Sequence, residues 1–126
     1  MKLRVGELYS KGELYLDEEI DFTNEQFNDY SLKSINSCKV KAHAYDTGEL
    51  IHIDFKIEAI VTLICSISLD EFEKVIKFND FIEITDNPEL ENGDIFLDKK
   101  PVIDLNQYIL PMIKCYIPIK PVKPKK

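Results

Sequence analysis

Every odd position from Ile51 to Leu69 is apolar: Ile51, Ile53, Phe55, Ile57, Ala59, Val61, Leu63, Cys65, Ile67 and Leu69. The even positions between them include His52, Asp54, Lys56, Glu58, Thr62, Ser66 and Ser68, with Ile60 and Ile64 as the exceptions. Such alternation describes a half-buried β-strand, because successive side chains of a strand face opposite sides of the sheet. The pattern is far longer than the usual strand of ~5–6 residues. It must therefore curve strongly, or break into two strands that keep the same phase.

Upstream, Val40, Ala42 and Ala44 alternate with Lys39, Lys41, His43 and Tyr45. The connecting Asp46-Thr47-Gly48-Glu49 has turn chemistry. A turn at those four residues predicts Ala44 opposite Ile51, Ala42 opposite Ile53 and Val40 opposite Phe55. The other face would then pair His43 with His52 and Lys41 with Asp54. All apolar partners fall on one face of this hairpin, and a one-residue slip would scatter them.

Two short helices are marked by their caps. In Phe22-Thr23-Asn24-Glu25-Gln26-Phe27, Thr23 and Gln26 make a capping-box pattern and Phe22 and Phe27 a hydrophobic staple, which predicts a helix over 24–30. Asp104 can cap a second helix with Gln107 at its third position and Leu105, Tyr108 and Ile109 as its apolar stripe. Pro111 would deprive the Gln107 carbonyl of its donor, so this helix is expected to stop near Leu110, or to kink and restart there. Further strands are expected over Lys2–Tyr9, Glu13–Leu16, Glu73–Ile84, Ile95–Phe96 and Pro101–Ile103. Together these predict an α+β fold: a curved, mostly antiparallel β-sheet, barrel-like in the limit, with two short helices. Residues 1–119 form a single domain. Residues 120–126 are expected to form an extended, flexible Lys/Pro tail, since Pro118, Pro121 and Pro124 forbid regular helix.

Composition now limits function. The 126 residues carry 16 Lys and Arg against 23 Asp and Glu, a formal charge of −7, with 44% apolar residues. Seven acids and no base lie between Gly12 and Leu32, and seven more with no base between Asn79 and Asp98. The last seven residues hold four of the sixteen bases and no acid, so the remaining 119 residues hold 12 bases against 23 acids, a charge of −11. This balance argues against a large basic face wrapped on nucleic acid. Only Lys120, Lys123, Lys125 and Lys126 of the tail are candidates for a weak phosphate or RNA contact.

Chemistry is sparse. Cys38, Cys65 and Cys115 are an odd set with no C-x-x-C pair, which fits a reducing cytosol rather than a secreted disulfide scaffold. The start Met1-Lys2-Leu3-Arg4-Val5-Gly6-Glu7 has no apolar run after its cations, so no signal peptide is expected there. The most apolar stretch, Ala59–Cys65, is far short of the ~20 residues that span a bilayer. Cys65 falls in the apolar phase of its strand and reads as a small buried hydrophobe. His43 and His52, with Asp54 and Glu58 as further donors, are the one arrangement that could converge on a metal, but two histidines make half a site. The acidic loop 86–94 lacks calcium-loop spacing, and four glycines contain no phosphate cradle. No catalytic, cofactor-binding or metal-binding residue is assigned, and the chain is expected not to be an enzyme.

Two segments, read together, resemble a known bacterial family. The first is Val61-Thr62-Leu63-Ile64-Cys65-Ser66-Ile67-Ser68-Leu69-Asp70-Glu71-Phe72. The second is Val102-Ile103-Asp104-Leu105-Asn106-Gln107-Tyr108-Ile109, followed by Ile113-Lys114-Cys115-Tyr116-Ile117-Pro118-Ile119-Lys120-Pro121. In order and spacing they are similar to the YceD family, the large ribosomal RNA subunit accumulation proteins. In that family a strand runs into Cys-x-Arg-Cys-Leu, and an Asp-Leu helix ends in a Leu-x-x-Pro segment. Cys65, Leu69, Asp104, Leu105 and Pro118 match, whereas Ile67 replaces the Arg, Ser68 the second Cys, Pro111 an acid and Cys115 a Leu. Any zinc or redox role of the family's cysteines is thus not carried here, and the matched positions read as scaffold. The resemblance implies a cytoplasmic, non-enzymatic factor supporting synthesis, processing or stability of large-subunit ribosomal RNA. The acidic body suits a basic ribosomal protein or assembly factor as direct partner, with RNA contact weak or indirect. The alternative is a generic acidic protein-binding module unrelated to the ribosome.

Overall fold

The computed structural model describes residues 1–22, 31–118 and 121–122. The helix expected over 24–30 and the tail lysines Lys120, Lys123, Lys125 and Lys126 lie outside them.

The fold is α+β, organised on a five-stranded sheet in the order β2-β3-β4-β5-β6. Its strands are β2 (Glu13–Glu19), β3 (Leu32–Asp46), β4 (Ile51–Ile64), β5 (Glu71–Thr85) and β6 (Ile95–Leu97). The pairings are antiparallel except for β5 with β6, which is parallel. The sheet stays open, with β2 and β6 as its ends. A separate ribbon pairs β1 (Lys2–Arg4) with β7 (Val102–Asp104), and among the described residues two α-helices, α1 (Val5–Lys11) and α2 (Asn106–Cys115), accompany them.

The alternating segment becomes β4, the central strand, bonded along its whole length to β3 and β5. Its odd residues from Ile51 to Leu63 are all buried. The alternation is broken at Cys65, where the chain turns: Leu69 N–H donates to the Cys65 carbonyl, and Cys65 N–H donates to the Asp70 carbonyl. Ile67 and Leu69 therefore leave the core phase and stand 79% and 75% exposed, and Leu69 adopts φ 63°. The long pattern is thus one strand and a turn, followed by a strand that starts at Glu71.

The β3–β4 hairpin forms, with its turn one residue later than the sequence suggested. Asp46 joins β3 and pairs with Ile51, which leaves Thr47–Leu50 as the loop. Thr47 N–H donates to the Leu50 carbonyl (2.9 Å), and the Asp46 carboxylate accepts Gly48 N–H (2.8 Å), with Gly48 at φ 103°. Moving the turn by one residue shifts the register by two, so Ala44 faces Ile53, Ala42 faces Phe55 and Val40 faces Ile57. A two-residue slip preserves both faces. Farther along, register shifts between Leu32 and Ser34 and between Ile35 and Ser37 space the buried residues of β3 by three: Leu32, Ile35, Cys38.

The first turnable segment differs from expectation. Instead of one strand over Lys2–Tyr9, β1 ends at Arg4 and α1 follows. Helix α1 buries Leu8, carries a Lys11–Glu7 ion pair (3.1 Å) and closes on Gly12, whose φ of 82° lets its N–H reach the Leu8 carbonyl. In α2 the helix does not stop near Leu110 but runs through Pro111 to Cys115. Pro111 and Gln107 lie on the exposed side, where the carbonyl that loses its donor meets solvent, while Ile109, Met112 and Ile113 are buried opposite. Asp104 does bond the first turn, its carboxylate accepting Asn106 N–H (3.0 Å).

One core unites these parts. The inner face of β3, β4 and β5 packs with Leu3 and Ile103 of the ribbon, Leu8 of α1, and Leu105, Ile109 and Ile113 at α2. The chain start is tied to α2 by the Met1 ammonium donating to the Asn106 side-chain oxygen (2.8 Å). Phe55, buried at the middle of β4, should cost about 3–5 kcal/mol when replaced by Ala, because the cavity adds to the lost transfer energy. Ile67→Ala at the exposed turn should stay within about 0.5 kcal/mol. Urea denaturation of both variants checks where the buried phase of this segment ends.

Candidate functional site

With the inner face committed to the core, the outer face of the sheet carries the polar phase of four strands, in cross-strand rows set by the register. One row reads Glu13, Tyr45, His52, Glu83 and the next Tyr15, His43, Asp54, Phe81. Beyond them come Asp17, Lys41, Lys56, Asn79 and then Glu19, Lys39, Glu58, Lys77. The face is hollowed into a trough, with one depression of about 660 Å³ over the lysine rows. A second of about 540 Å³ lies over the aromatic row, and Asp17, Lys41, Lys56 and Asn79 line both.

Five rings run continuously across the first two rows. Tyr15 stacks on His43 with centroids 4.3 Å apart and planes 3° from parallel. His43 meets Tyr45 at 5.3 Å, Tyr45 stacks on His52 at 4.9 Å, and His52 stacks on Phe81 at 5.1 Å. The imidazoles are held by carboxylates: His43 Nε2–H donates to Glu13 (3.0 Å) and His52 Nε2–H to Asp54 (2.9 Å). Glu83 lies 3.8 Å from His52 Nδ1. An ionised carboxylate can only accept, which sets the proton on each Nε2.

This geometry revises the expected cross-strand pairing of the two histidines. His43 faces Asp54 and His52 faces Tyr45, so the histidines are diagonal neighbours with the Tyr45 ring in contact with both. Among the described residues no three His, Cys, Asp or Glu side chains are grouped to hold a metal ion. Lys41 likewise faces Lys56 instead of Asp54. Like charges directly opposite one another destabilise a sheet. Neither lysine has an ion-pair partner within 4.0 Å among the described residues, and Lys77 is 4.0 Å from Glu58.

The family-motif positions lie elsewhere. Cys65 is buried at the end of β4, and Leu69 is exposed in the turn after it. Ser66 N–H donates to the Pro121 carbonyl (2.8 Å), which brings Pro121 against that turn, and Pro118 is half-buried. Asp104 and the fully buried Leu105 sit at the opposite end of α2. In the acidic loop, Asn87 and Asn92 spend their side-chain oxygens on the backbone N–H groups of Glu89, Asp94 and Ile95. Sequence reasoning passed over Tyr15, Tyr45 and Phe81. The available signal was that all three are aromatic residues in the solvent phase of their strands.

Comparison with protein-family models, with curated proteins and with solved structures finds no match to this chain. Among the described residues no helix is long and apolar enough to cross a membrane.

Of the thiols, Cys38 and Cys65 are buried and Cys115 is exposed. Burial, reinforced by the charge of Glu19, pushes the Cys38 thiol up to about 11. Thiolate is the reactive form, so Cys38 is inert at neutral pH. Titration of the native chain with a disulfide reagent should consume one thiol rapidly, and Cys115→Ser should abolish that fast phase. Comparable reaction of Cys38 or Cys65 would contradict the burial described.

Proposed function

We propose that this chain is a non-enzymatic, cytoplasmic ribosome-biogenesis factor. It supports synthesis, processing or stability of large-subunit ribosomal RNA by binding a basic ribosomal protein or assembly factor. The observation that carries the ribosomal assignment is the joint resemblance of the Cys65–Leu69 and Asp104–Pro118 segments to the YceD family, in matching order.

The choice of a basic partner rests on charge. Removing the lysine tail leaves the body at −11. Glu13, Asp17, Glu18 and Glu19 are all exposed on β2, an end strand of the sheet. Fields of opposite sign speed encounter and suppress wrong partners. Direct RNA contact is weak and confined to the tail lysines.

Depletion from growing cells should lower large-subunit ribosomal RNA relative to small-subunit RNA. Affinity purification with the tail deleted should still recover basic ribosomal proteins or assembly factors. An unchanged RNA ratio would remove the ribosomal assignment and leave an acidic protein-binding module. Recovery of bare RNA by the tail-less chain, without a basic protein, would overturn the partner.

A further inference from the structure

We infer that the aromatic row on the outer face is a docking site for an extended basic segment carrying two arginines four residues apart, one for each end of the row. This deepens, and rests on, the reading of the partner as a basic protein. The ribosomal part of that reading is decided separately by the RNA ratio after depletion.

The two end rings are the open ones. Tyr15 is 73% exposed and Phe81 55%, and among the described residues each stacks on one ring only. Tyr15 stands on the end strand β2. Phe81 stands on β5 just before Glu83, where pairing with β6 begins, so it too borders an open edge. The three inner rings are sandwiched between neighbours, which leaves the outward faces of the end rings as the accessible π surface.

Carboxylates adjoin both ends. Glu13 and Asp17 are two residues either side of Tyr15 on the same face, Asp54 is directly opposite Phe81, and Glu83 is two residues beyond it. Glu13 and Asp54 each hold a histidine through one oxygen and keep further acceptor capacity. A guanidinium satisfies both features together, stacking on a ring face while its N–H groups meet a carboxylate. Phosphate is disfavoured at these ends, because the carboxylates Glu13, Asp54 and Glu83 share the aromatic rows with the stacked imidazoles and repel it there.

The spacing follows from sheet geometry. From β2 to β5 is three strand intervals, about 14 Å, which an extended chain at about 3.4 Å per residue covers in four residues, each long arginine side chain splaying outward to reach the outer face of its ring. Residues four apart on an extended chain also point to the same side. Lys41 and Lys56, on the next row, repel a basic segment on that flank and confine it to the aromatic rows.

The test is fluorescence anisotropy at low salt on the full chain, with a labelled Gly-Arg-Ser-Gly-Ser-Arg-Gly peptide. Comparison probes are the same composition with adjacent arginines, the di-lysine version, and single-stranded oligoadenylate. The spaced di-arginine peptide should bind tightest. Tyr15→Ala and Phe81→Ala should each weaken it about two- to five-fold, the effects multiplying in the double variant. Tyr15→Phe should retain binding, and Lys41→Gln should leave it unchanged or tighten it. Equal binding of spaced and adjacent peptides by the native chain would overturn the proposal, and this comparison needs no variant to fold. Binding that is unaffected by Tyr15→Ala would also overturn it, as would preferential binding of oligoadenylate weakened by Lys41→Gln.

Discussion

The structure depends on the burial of one face of β4. That strand is bonded on both sides along its length, and each of its odd residues from Ile51 to Leu63 is buried. An apolar face of this extent cannot be left to water, at roughly 25 cal/mol per Å² of apolar surface. The β1–β7 ribbon, α1 and α2 all contribute to covering it, with Leu3, Leu8, Ile103, Leu105, Ile109 and Ile113 in the same cluster. The same alternation that turns these residues inward turns His52, Asp54, Lys56 and Glu58 outward. The make-up of the outer surface is therefore a geometric consequence of the core.

Register then decides what that outer surface can do. With the turn at Thr47–Leu50, His43 lies beside Asp54 and His52 beside Tyr45. A two-residue change leaves the hydrophobic energy almost untouched, since every apolar residue stays on its face. It nonetheless converts an arrangement of two facing histidines into a stacked row of five rings with each imidazole engaged by a carboxylate. Core burial thus defines the face, while the hydrogen bonds of a four-residue loop select the chemistry displayed on it.

The matched family positions and the ring row are separate parts of the molecule. Cys65, Leu105 and the Ser66–Pro121 hydrogen bond belong to the ends and corners of the framework. Leu69 stands exposed in the turn after β4, with a left-handed backbone. The proposed choice of a protein as direct partner rests on the charge map. Lys41 and Lys56, without an ion-pair partner among the described residues, are interleaved with Asp17, Glu19 and Glu58.

Periodicity and turn chemistry by themselves determined that a central hairpin forms, its buried face and the start of α2, and composition the acidic character of the body. These are local properties, and side-chain alternation reports burial directly. The first half of β3 was not legible, because its two register shifts space buried residues by three and erase the period of two. Nor was α1, a seven-residue helix held by one buried leucine and a glycine cap. The continuation of α2 through Pro111 was likewise decided by burial of Ile109, Met112 and Ile113 on the opposite side. Tertiary structure alone assembled the ring row: Tyr15, His43, Tyr45, His52 and Phe81 come from four strands. Their adjacency depends on long-range registers that no window of sequence contains.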